Sequence, residues 1–173
     1  MPRRALLLLA LSLASLAGCG YHTVGSATHL PPGLKTLAVP LFTTQTNANH
    51  TEIALTEAVL REFAARTHFR VVPADQPDAD AVLHGVILKQ YSAPLTYNTT
   101  TQQSSSYLIT LVVSITIKDR GGRVLYENKN YTYREQYQAT SDLPTFIQED
   151  PAAIQRLSRH FASQLVSDVL ESF

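Results

Sequence analysis

Hydrophobic residues follow two rhythms along this chain. From Tyr107 to Lys118 they alternate. Tyr107, Ile109, Leu111, Val113, Ile115 and Ile117 fall on one side of an extended backbone, and Leu108, Thr110, Val112, Ser114, Thr116 and Lys118 on the other. A period of two is that of a strand with two different faces. Asp119-Arg120-Gly121-Gly122 follows as a tight turn, its glycines able to take positive φ, and Arg123 to Gln138 reads as the return strand. A long antiparallel hairpin is the firmest expectation.

The second rhythm is helical. After Asp150-Pro151, an N-cap followed by a proline at the first helical position, the residues Ile154, Leu157, Phe161, Leu165 and Val169 recur at helix spacing, with Arg156, Arg159, Ser163 and Glu171 on other faces. Asn49 to Glu52 resembles a capping box and opens a helix to about Thr67. Its predicted apolar face is Ile53, Leu60, Phe63 and Ala64, with Val59 at the margin. Leu34 to Phe42 reads as a first strand with Pro40 at an edge or bulge. His68 to Val72 is a short strand stopped by Pro73. Ala81 to Tyr97 is a long strand or a strand with a break, in which Gly85 suggests a bulge and Pro94 an edge or kink. Asn98 to Ser106 (NTTTQQSSS) reads as a polar, mobile loop. Two amphipathic helices need one sheet face to cover. The expected fold is therefore α+β, a two-layer sandwich of two helices on one face of a mixed four- to five-stranded sheet, with the other face left for solvent or a partner.

The N-terminus has a different pattern. Arg3 and Arg4 precede an apolar run from Ala5 to Leu16, interrupted only by Ser12 and Ser15. That is the size of a signal-peptide core and short for a spanning helix, which needs about 20 residues. Leu16-Ala17-Gly18-Cys19 resembles a bacterial lipobox, and Cys19 is the only cysteine. The expected organisation is a lipoprotein signal peptide at 1–18, a lipidated tether at 19–33 and one domain at 34–173. Cys19 is expected to carry acyl chains; one chain anchors marginally and two or three anchor stably. Gly20 rather than Asp after the cysteine favours the outer membrane.

Charge and chemistry narrow the function by exclusion. The chain has 14 basic and 14 acidic residues; losing Arg3 and Arg4 leaves about −2, with no polybasic footprint for nucleic acid. The histidines His22, His29, His50, His68, His84 and His160 form no metal-binding spacing. Asp75, Asp78 and Asp80 lack the glycine and distal glutamate of a Ca²⁺ loop. No nucleophile elbow or phosphate loop is present. The expectation is no enzyme, no cofactor and no metal. Two features suit binding. One is the basic hairpin turn, Lys118, Arg120 and Arg123, which could meet phosphates. The other is the tyrosine set Tyr97, Tyr107, Tyr126, Tyr131, Tyr133 and Tyr137, amphipathic residues common at interfaces.

Several stretches together resemble one family. They are Cys19-Gly20-Tyr21-His22, the strand TLAVPLF at Thr36 to Phe42, LTEAVLREF at Leu55 to Phe63, ADAVLHGVI at Ala79 to Ile87, the hairpin YLITLVVSITIKDRGGRVLYE at Tyr107 to Glu127, and the C-terminal amphipathic helix. In that order they resemble the LptE-like lipopolysaccharide-assembly lipoproteins over nearly all of the mature chain. The resemblance implies a lipid-anchored protein on the periplasmic side of the cell outer membrane. It implies partnership with an LptD-like outer-membrane β-barrel, which such proteins plug and help assemble, and with lipopolysaccharide. Basic residues of this family bind lipopolysaccharide; Lys118, Arg120 and Arg123 are the local candidates here. The strand-helix-strand start also resembles the sandwich domain of lipoproteins that activate peptidoglycan synthases or build secretion pores, the alternative reading.

Overall fold

The computed structural model describes residues 33–46, 51–74, 78–98, 103–138 and 151–172. The expected signal peptide, Cys19, the tether up to residue 32, and the caps at Asn49 and Asp150 lie outside the described residues. In chain order the elements are β1 (Thr36–Ala38), β2 (Thr43–Thr44), α1 (Thr51–Arg66), β3 (Arg70–Val72), β4 (Ala81–Asn98), β5 (Gln103–Asp119), β6 (Val124–Gln138) and α2 (Pro151–Glu171). The sheet runs β3-β1-β4-β5-β6, and β2 pairs with β4 farther along the edge that β1 occupies. β1 is parallel to β3 and β4, and β2 is parallel to β4; β4, β5 and β6 form an antiparallel meander. Both helices lie on one face. The α+β sandwich and the long hairpin are as the alternation predicts, and β2 is a sixth strand beside the five-strand path.

The expected first strand is split in two. Pro40 has no N–H to give to a ladder, and between β1 and β2 the chain leaves the sheet edge. Leu41 turns outward, 56% exposed, while Phe42 turns into the core. The backbone N–H of Phe42 donates to Thr56 Oγ1 on α1 at 2.9 Å, and Thr56 Oγ1 donates to the Glu52 carbonyl at 2.6 Å. The Phe42 ring lies against Gly85 of β4. A Cβ at Gly85 would sit 2.4 Å from Phe42 Cε2, so the glycine makes room for a ring. The register is unbroken there, Gly85 facing Ile115. The bulge expected at Gly85 falls instead between Ile87 and Lys89.

That bulge marks where the core thins. Before it, Ala81, Leu83 and Ile87 of β4 are fully buried. Beyond it, Gln90, Ser92 and Pro94 occupy the helix-side positions, opposite Leu111, Ile109 and Tyr107. On the edge of β4 opposite β5, no strand flanks it beyond Ile87 among the described residues. The polar stretch expected as a loop is mostly strand: β5 begins at Gln103, Asn98 faces Gln103, and Thr96 Oγ1 and Ser106 Oγ lie 2.7 Å apart. Ladder hydrogen bonds satisfy the backbone whatever the side chains, which is why composition alone suggests a loop here.

The apolar face of α2 is as the spacing predicts: Ile154, Leu157, Phe161, Leu165 and Val169 are buried. The face of α1 is rotated from the expected one. Leu55, Ala58, Val59 and Phe63 are buried, whereas Ile53 is 41% exposed and Ala64 is exposed. The reason is that α1 packs against α2 as well as the sheet. Its buried arc centres on the i, i+4, i+8 line Leu55–Val59–Phe63. Arg66 ties the helices together, donating to the Ser163 carbonyl at 3.1 Å and to Ser167 Oγ at 2.8 Å.

Candidate interaction surface

The β5–β6 turn closes with a short hydrogen-bonded loop. Gly122 N donates to the Asp119 carbonyl at 2.9 Å, and Gly122 has φ of 81°, which an L side chain rarely adopts. Asp119 Oδ1 accepts from Arg123 N at 2.9 Å and Oδ2 from Arg123 Nε at 3.1 Å. Arg120 reaches sideways to the segment before β4. It donates to the Asp78 and Ala79 carbonyls, and its guanidinium lies 3.6 Å from Asp80 Oδ1.

Asp80 is the hub of this end of the sheet. Its Oδ2 accepts the backbone N–H groups of Lys35 and Thr36, each at 2.9 Å, where the chain enters β1. These two hydrogen bonds hold its carboxyl below the usual carboxylate range, with Arg120 and Lys35 adding attraction. Of the three predicted phosphate-binding side chains, Arg120 is therefore held by Asp80 and Arg123 by Asp119. Lys118 is exposed and has no ion-pair partner among the described residues.

The tyrosines divide in a similar way. Tyr107, Tyr131 and Tyr133 are at most 9% exposed, so they belong to the core rather than to a free contact surface. The rings of Tyr131 and Tyr133 meet Phe161 edge to face, at centroid distances of 5.6 and 6.1 Å. Their hydroxyls donate to Asp168 Oδ2 at 2.6 Å and Glu135 Oε2 at 2.9 Å. Burial, reinforced by those carboxylates, pushes both phenols far above their ordinary range. Glu135 also receives His160 Nδ1 at 3.1 Å and the Arg156 guanidinium at 4.0 Å, so β6 and α2 are sealed along a polar seam. The side chains of Tyr97 and Tyr137 lie outside the described set. Tyr91 is 49% exposed.

The face turned away from the helices carries a charge pattern that net charge conceals. Arg70 on β3, Lys89 on β4, Lys118 on β5 and Arg134 on β6 are all exposed on it. None has an ion-pair partner among the described residues. The carboxylate there, Glu127, is met by Lys129 at 3.6 Å. Between these charges lie half-buried Val82, Val86, Leu108 and Val112, together with Tyr91. The signal in the sequence is the odd–even position of each cation in its strand, once the bulge after Ile87 is allowed for. Among the described residues no group of three or more His, Cys, Asp or Glu could hold a metal ion, and no helix is long and apolar enough to cross a membrane.

Residues 34–169 match the family model for LptE, lipopolysaccharide-assembly. The chain belongs to the LptE family. That family is one of lipopolysaccharide-assembly lipoproteins. No curated protein matches this LptE-family chain in sequence. Solved structures share its fold at low identity. A Xanthomonas campestris protein superposes with a TM-score of 0.52 at 13% identity, covering 82% of this chain and 89% of that one. The PelC dodecamer from Paraburkholderia phytofirmans gives 0.51 at 12%, covering 80% and 91%. A putative lipoprotein from Caulobacter crescentus gives 0.50 at 11%, covering 77% and 88%.

Proposed function

We propose that this LptE-family protein is cleaved before Cys19, acylated on that residue and held on the periplasmic side of the outer membrane. Its domain enters the lumen of an LptD-like β-barrel, helps the barrel assemble and assists passage of lipopolysaccharide to the cell surface. Beyond family membership, one observation carries the barrel reading. Past the bulge, β4, β5 and β6 continue as a three-stranded ribbon whose exposed positions are Lys89, Tyr91, Ala93, Pro94, Leu95, Thr96, Thr132, Arg134 and Gln136, with Gln90 and Ser92 half-buried on the helix side. A ribbon whose exposed positions are mostly polar suits the water-filled interior of an outer-membrane barrel. For lipopolysaccharide contact at the hairpin turn, Lys118 is the member of the Lys118, Arg120, Arg123 trio available to a phosphate. Arg120 and Arg123 already engage internal carboxylates and carbonyls, which leaves each fewer free N–H donors for it.

Affinity purification from outer membranes tests the reading. A large β-barrel of the lipopolysaccharide export route is expected to copurify. Recovery of a peptidoglycan synthase without a barrel favours the alternative. Fractionation of Cys19→Ala tests the anchor separately: the variant is expected as uncleaved or soluble material, and normal outer-membrane fractionation would refute acylation at Cys19.

A further inference from the structure

The open face of the sheet presents four cations, one on each of β3, β4, β5 and β6. They are Arg70, Lys89, Lys118 and Arg134, all exposed. Their spacing restricts what they can meet. Lys118 lies eight positions along β5 from Thr110, the residue paired with Arg134, which is about 27 Å at the rise of a strand. Arg70 and Arg134 are separated by four inter-strand gaps, roughly 19 Å. A single phosphate cannot bridge such distances. A flat array of anions can, and each cation then adds to the attraction because the field of a charged surface acts on all of them together.

We infer that this face docks on an anionic phospholipid surface. Three features favour a bilayer over another broad anion. The described chain enters β1 at the Lys118 end of the sheet, where Asp80 holds the N–H groups of Lys35 and Thr36. Cys19 precedes Gly33 by 14 positions, so a lipid on it keeps that end within about 50 Å of the membrane. At such a range weak surface attraction is multiplied by high effective concentration. Between the cations, Tyr91 and Val124, 49% and 47% exposed, supply the aromatic and aliphatic contact that an interfacial region accepts. The helix layer sets the carboxylates Glu52, Glu57, Glu62, Asp168 and Glu171 against the guanidiniums Arg61, Arg66, Arg156 and Arg159 and so carries no excess of positive charge, and an anionic surface orients the molecule sheet side down. Docking in the cell rests on the anchor at Cys19 proposed above. Because the ribbon shares this face, lipid docking precedes barrel entry and is displaced by it.

The test is cosedimentation with vesicles, using the mature chain from residue 19 with Cys19→Ala. This chain contains every described residue and the whole core. Unacylated protein makes the result independent of the anchor, which palmitate labelling of the unaltered chain at Cys19 tests on its own. Binding is expected to vesicles of phosphatidylglycerol and phosphatidylethanolamine, and not to phosphatidylcholine alone. It should weaken steeply between low and high salt, as exposed charges are screened. Lys89→Glu with Lys118→Glu should reduce binding more than tenfold, since each cation near an anionic surface contributes roughly fivefold. Arg61→Glu with Arg159→Glu, the same charge change on the helix layer, should leave binding unaltered. Circular dichroism confirms that each variant is folded. Equal loss from both pairs, equal binding to neutral vesicles, or binding to lipopolysaccharide or a purified barrel with none to phospholipid would each overturn the inference.

Discussion

Along β5 the six side chains turned toward the helices are at most 7% exposed, and Leu111, Val113 and Ile115 are completely buried. The six turned away, Leu108, Thr110, Val112, Ser114, Thr116 and Lys118, include three hydroxyls and a charge, and most are half-buried or exposed. One strand thus serves two surroundings. The helix side gathers Phe42, Phe63 and Phe161 with the aliphatic core. The open side spreads Arg70, Lys89, Lys118 and Arg134 across a plane. Stability therefore resides on one face, and the other is the one proposed to meet partners. A substitution should change one property with little effect on the other, according to the face it occupies.

The largest effect should come from Phe161→Ala. The ring is fully buried and meets Tyr131 and Tyr133 edge to face, so its removal should cost about 3–5 kcal/mol in urea melts. A loss under about 1 kcal/mol would mean that α2 does not depend on this seam. Gly85→Ala should follow, at about 1–3 kcal/mol, because its new Cβ meets a buried Phe42 ring. Combining it with Phe42→Leu should restore part of the loss. Additive losses in that double variant would show that the contact is not what excludes a side chain.

Tyr131→Phe removes only the bond to Asp168 and should cost about 1 kcal/mol. Asp80→Asn should act mainly through pH. Its carboxyl is held below its unfolded value, so its contribution is fully present above that value. It is lost as pH falls through the lower, folded one. The native protein should therefore lose stability toward acid more steeply than the variant, and parallel acid limbs would show that Asp80 does not organise the β1 entrance. On the open face, Lys89→Glu or Arg134→Glu should change stability by less than about 0.5 kcal/mol. A larger loss would break the division between the faces.

Much of this division was legible in the chain itself. The alternation from Tyr107 to Lys118 specified both faces of β5, and the spacing from Ile154 to Val169 specified the buried line of α2. Elsewhere, tertiary context overrode the local signal. The face of α1 could not be read because its burial depends on a second helix whose position lies in no local pattern. Pro40 signalled a break, but only the paired environment of Phe42 and Gly85 explains why the chain rejoins the sheet as β2. The polar run ending at Ser106 looked like a loop because ladder bonds leave no mark in composition. The turn residues Lys118, Arg120 and Arg123 were found as a basic cluster. That Asp80 engages Arg120 follows from the packing of the segment before β4 against the hairpin turn, which brings residues some 40 positions apart into contact, whereas Asp119 holds Arg123 from four positions away within the turn itself. The basic open face was hidden by the net charge, since acids on other surfaces cancel it.

The central claim is that the open face and its ribbon meet partners while the helix layer does not. Site-specific photocrosslinking in intact cells tests it most directly, with the probe placed at Thr132 or Gln136 on the ribbon and at Arg159 on α2. Adducts with a large outer-membrane β-barrel are expected from both ribbon positions and not from Arg159. Barrel adducts confined to Arg159, or none from the ribbon, would contradict the account.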